Sequence, residues 1–236
     1  MRLRVGTSGF AYKEWKGPFY PADLADREML GYYAARLDTV EINNTFYRMP
    51  TARVLSGWRE QVPAGFAFAL KASRRITHQQ RLEGCEDALS HLLVAAAALG
   101  DALGPILFQL PPWLRKDVAR LAAFLALLPA GVRAVFEFRH ASWMDDEVAA
   151  ALRDRACALV VADMEDGPDP AIVPTARFGY LRLRRPGYAR DELSRWVARI
   201  AEQPWDEAFV YFKHEDEGAG PKLAAELREA ALGGKP

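Results

Sequence analysis

Short apolar runs that end on a charged side chain recur along this chain, and a charge closing a buried strand is costly unless it is paired or used. The clearest runs end at Glu41, Lys71, Glu137 with Arg139, Asp163, Arg182 with Arg184, and Lys213. Repeated at intervals, the pattern gathers polar groups at one end of one sheet, as an active site on a parallel α/β scaffold requires.

The runs predict eight strands, at 3–6, 39–43, 66–71, 106–110, 134–138, 158–163, 179–184 and 208–213. Between most of them lie stretches of helical character at 23–36, 51–61, 85–99, 117–128, 145–155, 191–201 and 221–231. Thr51 is placed to cap its helix, and Gly100 to end one. The connection 165–177 is different, because Pro168, Pro170 and Pro174 with Gly167 forbid a regular helix. It is a candidate lid. A βα unit repeated about eight times predicts a single TIM-like barrel over residues 1–236, of class α/β, with an irregular connection between strands six and seven. An open doubly wound sheet is the competing architecture. The turn Gly6, Thr7, Ser8, Gly9, Phe10 lacks the dinucleotide fingerprint, which weakens that alternative.

The 31 basic and 31 acidic side chains cancel, which argues against a general nucleic-acid binder. Cys85 and Cys157 are far apart and indicate neither a zinc site nor a disulfide. No membrane-length apolar stretch and no signal segment before the first strand are apparent, so a cytoplasmic location is expected.

Alternation along the strands turns Glu41, Asn43, Lys71, Ser73, Gln109, Glu137, Arg139, Asp163, Arg182, Arg184 and Lys213 toward the upper barrel interior. The cations outnumber the carboxylates, so the expected ligand is a small anionic molecule bearing a phosphate or carboxylate, or a sugar-like one. Glu41 and Glu137, on strands two and five, are the candidate acid and base, or each is a permanent anion held by arginine or lysine. Lys71 pairs with Glu41 on the adjacent strand, or is an amine nucleophile. His140 is a candidate catalytic group. Asn43, Tyr47, Gln109, Arg139, Trp143, Asp163, Arg182, Arg184, Lys213 and His214 complete the expected substrate-binding set. Rim aromatics, among them Phe46 and Trp113, wall a pocket or pack the loops. His78, His140 and His214 with nearby carboxylates allow a divalent metal, but no HxH or HExxH spacing is present, and no cofactor is expected. An acid/base enzyme (a hydrolase, lyase or isomerase), a non-catalytic binder of an anionic metabolite or nucleic-acid end, and a metal-dependent phosphodiester hydrolase all remain open. Oligomeric state is not readable.

Several segments carry a family resemblance. They are Val5 to Phe10 with Tyr12 and Trp15, then Phe19, Tyr20 and Pro21, and above all Val40, Glu41, Ile42, Asn43, Asn44, Thr45, Phe46, Tyr47, Arg48, Met49 and Pro50. Further matches are 68–71 with Ile76, Thr77 and His78; 107–112; 136–140 with Ser142 and Trp143; and 210–214. The chain resembles the DUF72, or YecE-like, family from end to end. The resemblance implies a TIM-like barrel and no known activity. The chain departs from the family pattern at Lys213 and His214, where paired asparagines are frequent.

Overall fold

Eight parallel strands close on themselves in sequence order, each hydrogen-bonded to the next and the eighth to the first. The structure, a computed structural model, describes residues 1–165, 167, 169–213 and 216–233, with the backbone alone at 216. The strands are β1 (Arg2–Ser8), β2 (Thr39–Ile42), β3 (Ala67–Lys71), β4 (Leu103–Gln109), β5 (Ala134–Glu137), β6 (Ala158–Asp163), β7 (Phe178–Leu183) and β8 (Glu207–Phe212). The eight predicted strands are all present, which makes the molecule a TIM-like barrel.

The helices are α1 (Met29–Ala34), α2 (Asn44–Tyr47), α3 (Ala52–Arg59), α4 (Glu86–Ala96), α5 (Val118–Leu127), α6 (Asp146–Asp154), α7 (Arg190–Ala201) and α8 (Ala219–Gly233). Their starts follow from local chemistry. Thr51 Oγ1 accepts from Val54 N at 3.4 Å, Asp117 accepts from Arg120 N at 2.9 Å, and Asp145 from Glu147 N at 2.9 Å. Gly100, at φ 52°, breaks the chain after α4 as expected. The helix expected from residue 23 is shorter, preceded by a 3₁₀ turn at Asp26–Glu28. Among the described residues the β6–β7 connection contains no helix, in line with its prolines. It is tied down by Arg185 to Asp169 at 2.6 Å and by Arg153 Nε to the Pro174 carbonyl at 3.3 Å.

Strand alternation sorts the core in two. Val40, Phe68, Phe108, Phe136, Leu181 and Val210 face the helices. Ala67, Ala69, Leu107, Val135, Tyr180, Phe209 and Tyr211 fill the barrel. At the N-terminal end the interior is closed by Glu207, paired with Arg4 and, at 2.7 Å, with Arg133. Both arginines lie over the Phe209 ring. Tyr33 pins α1 to the barrel: its hydroxyl takes the Thr7 N–H and donates to the Thr39 carbonyl, both at 2.9 Å. No helix among the described residues is long and apolar enough to cross a membrane.

Candidate functional site

At the C-terminal mouth, above the aromatic layer, the inward positions turn from apolar to charged. Glu41 stands on β2, Lys71 ends β3, Gln109 ends β4, Glu137 ends β5, Arg182 lies on β7 and Arg184 just beyond it. Glu41, Glu137 and Arg182 are buried. Arg182 bridges the two carboxylates, donating to Glu41 Oε1 at 2.7 Å and to Glu137 Oε2.

Each carboxylate has further donors. Glu41 accepts from Ser8 Oγ, from Tyr180 OH at 2.7 Å and from Asn43 Nδ2 at 3.3 Å. Glu137 accepts from Gln109 Nε2 at 2.9 Å and Arg139 Nε at 3.0 Å, and Arg184 stands 4.0 Å away. Burial alone pushes both carboxyls up, but the facing Arg182 and the other donors outweigh it, and both end below the ordinary glutamate value. Burial and the Glu41 charge hold the Tyr180 phenol well above its usual range, so it stays a donor.

Lys71 is a correction. Its ammonium has no ion pair with Glu41; Nζ lies 4.4 Å from the Phe46 ring centre. Burial first, then the positive Arg182, bring its pKa down to about 8. Arg184 is lowered in the same way, by burial and by Arg182. Among the described residues, the Nε atoms of Arg182 and Arg184 are buried donors without a hydrogen-bond partner.

Asp163 is a second correction. It shares the face of Leu159 and Val161, which pack toward the helices, and it binds Arg185 Nε at 2.8 Å and Tyr188 OH at 2.9 Å. The error is one of parity: a strand side chain one residue off register faces the opposite way. Trp143 is also placed differently. It is fully buried, stacked 4.5 Å from Phe138 with Nε1 donating to the Leu114 carbonyl at 2.8 Å, so it supports the rim and offers a ligand no free polar edge.

The remaining expected residues stand around this cluster. Asn43 and Gln109 join the carboxylates. Arg139 sits at the edge with its side chain about one third exposed. Tyr47 projects from α2 into solvent. His140 is engaged within its own turn, its Nδ1 2.8 Å from Ser142 Oγ, and touches neither carboxylate. Lys213 is exposed, and His214 lies outside the described residues. His78 packs its ring edge-on against Phe46 at 4.9 Å. The residues missed from sequence are Ser8 and Tyr180, and Phe46, expected only as a rim aromatic, is the ring against Lys71. Tyr180 had a signal, since it is two residues before Arg182 on the same strand face. Ser8 had none beyond lying at a strand end.

A closed parallel barrel with its charged and hydrogen-bonding side chains collected at the C-terminal mouth defines the class: a TIM-barrel protein with a polar mouth. Residues 4–235 match the family model described as "Protein of unknown function DUF72", and the chain belongs to that family. UPF0759 protein YecE of Escherichia coli (strain K12) is 33% identical over 109 residues, 46% of this chain and 40% of YecE. UPF0759 protein YunF of Bacillus subtilis (strain 168) is 27% identical over 149 residues, 60% of this chain and 52% of YunF. The matched stretches span about half the length of these curated relatives. A DUF72 family protein from Thermotoga maritima MSB8 superposes with TM-score 0.85 at 25% identity, covering 97% of this chain and 98% of its own. One from Enterococcus faecalis V583, at 18% identity and TM-score 0.82, covers 98% of this chain and 95% of its own, and bears on the fold alone.

Proposed function

We propose that the barrel mouth is the active site of an enzyme that binds a small metabolite through its carboxylate or phosphate and moves a proton on it. The observation that carries this reading is Arg184. Its side chain is 10% exposed, its one ion-pair contact among the described residues is at 4.0 Å, and its Nε has no partner. A nearly buried guanidinium with a spare donor is costly until an anion takes it up. Arg139, with only its Nε committed to Glu137, supplies a second arm at the edge.

The two carboxylates take a different part from the acid/base pair. Both are held as anions by Arg182, so neither donates a proton near neutral pH. Their role in this reading is to fix Arg182 and, from beneath, the ligand floor. Lys71, with a pKa of about 8, changes protonation close to neutral pH, and it is the proposed proton-transfer group. Hydrolysis, elimination and isomerisation each use such a transfer. No cofactor is invoked. A metal-dependent phosphodiester hydrolase has less support, since the mouth carboxylates are already engaged by guanidinium groups and the described residues contain no group of three or more metal-ligating side chains.

Isothermal titration with inorganic phosphate and acetate tests the binding. Arg184→Met is expected to lose at least tenfold in affinity. A panel of phosphorylated and carboxylated metabolites followed by NMR tests turnover, and Lys71→Met should keep binding and lose turnover. A wild-type protein that binds neither anion overturns the reading. Binding without turnover across the panel favours the non-catalytic binder, a reading that the closed Glu41–Arg182–Glu137 bridge also fits.

A further inference from the structure

The closed barrel is most sparsely paired between β5 and β6. β5 and β6 pair only at Val135 with Ala158 and Phe136 with Leu159, whereas β6 pairs with β7 from Val160 to Asp163. Above Leu159, β6 therefore has a neighbour on one edge only. The strand records the gap: Leu159, Val160 and Ala162 are partly exposed, although equivalent positions on β7 are buried. A cavity of about 1040 Å³ occupies the opening. Phe138, Val148, Ala149, Leu159, Val160 and Ala162 are among its lining residues, and Glu137 and Arg139 of the charged mouth line it too.

We infer that this wedge is the body-binding part of the same site, and that the ligand is an amphipathic acid whose anionic head meets Arg139 and Arg184 while its alkyl or aromatic body lies between β5 and β6. The inference rests on the anion-binding reading of the mouth. Three observations set it beyond that reading. The cavity reaches the top of the range for small-molecule sites, far larger than a bare anion needs. Its lining is mostly apolar, and Arg139 is the one cation among the described residues that line it. Asp145 and Asp146 also line it, so among its described charged lining residues Arg139 is the one that attracts an anion. Asp145 is held there by Lys116 at 2.9 Å. The walls named above belong to strands, to α6 and to the residue following β5, and the β6–β7 connection lines the cavity as well, through Met164, Pro170, Ala171 and Val173.

Calorimetric titration of the full chain with n-alkyl carboxylates and n-alkyl phosphates from two to eight carbons provides the test. Affinity is expected to rise about threefold to fourfold per added methylene while the tail fills the wedge. The phosphate and carboxylate arms distinguish the head group. Ala162→Leu and Val160→Phe, each checked for an unchanged circular dichroism spectrum, should flatten the chain-length dependence and leave binding of inorganic phosphate unaltered. Should one variant fail to fold, the other and the wild-type series still decide. A flat series in the wild type, with inorganic phosphate still bound, overturns the wedge assignment and leaves the anion site standing. Failure of every anion, short or long, overturns both.

Discussion

Arg182 and Glu41 lie 141 residues apart in the chain and meet at 2.7 Å inside the barrel. Neither side chain has appreciable access to water. The pair gains its sense from Glu137, which takes the other terminal nitrogen of the same guanidinium. One buried cation thus joins strands β2, β5 and β7.

Removing the bridge leaves two buried carboxylates facing each other. Arg182→Met is expected to destabilise the fold by about 3–5 kcal/mol, as for other broken buried ion pairs. Urea denaturation measures it. A loss below about 1 kcal/mol would show that water reaches the carboxylates and that the bridge is not a dry one.

Acid should weaken the protein through the same groups. Both carboxyls titrate lower in the folded chain than in the unfolded one, where glutamate has a pKa of about 4.3. As pH falls past that value the unfolded chain gains protons that the folded chain does not, and stability drops. Their contribution is fully present above about pH 5. The thermal midpoint by circular dichroism should fall between about pH 5 and pH 3, and Glu137→Gln should show a shallower fall.

Lys71 should titrate with a midpoint of about 8 in the folded protein. Reductive ¹³C-methylation and NMR follow it, with Lys71→Met assigning the resonance. Between that value and the unfolded value of about 10.4, the folded chain has released a proton that the unfolded chain keeps, so this group adds stability as pH rises. Saturating phosphate should move the midpoint up, because an added anion favours the ammonium. An ordinary midpoint would remove Lys71 from the proton-transfer role.

Gly179 on β7 has no room for a side chain. A Cβ there would stand 2.4 Å from the Trp205 ring. Gly179→Ala is expected to cost about 1–3 kcal/mol by overpacking, read from the urea midpoint, and Trp205→Leu should return part of it.

Much of the frame was legible because strand periodicity and turn chemistry are local. The eight apolar runs, the proline-rich break before β7, the cap Thr51 and the helix starts at Asp117 and Asp145 need only neighbouring residues to declare themselves. The inward face of Glu41, Gln109, Glu137 and Arg182 followed from alternation. The same rule failed at Asp163, whose run is apolar at consecutive positions and so fixes no parity of its own.

What the sequence by itself determined is therefore direction: which residues form strands, how many there are, and for most of them which side chains enter the barrel. Only the tertiary structure decided who meets whom. Lys71 sits beside Phe46 and not on Glu41, and Arg182 holds both carboxylates while Arg184 keeps a donor spare. The parting of β5 from β6 was equally invisible, since it arises from two paired positions where four were possible on the other edge of β6. Those outcomes depend on barrel closure and strand register, which bring groups more than a hundred residues apart within hydrogen-bond reach. Period-two alternation sets the face of each strand and carries no information about its partner across the axis.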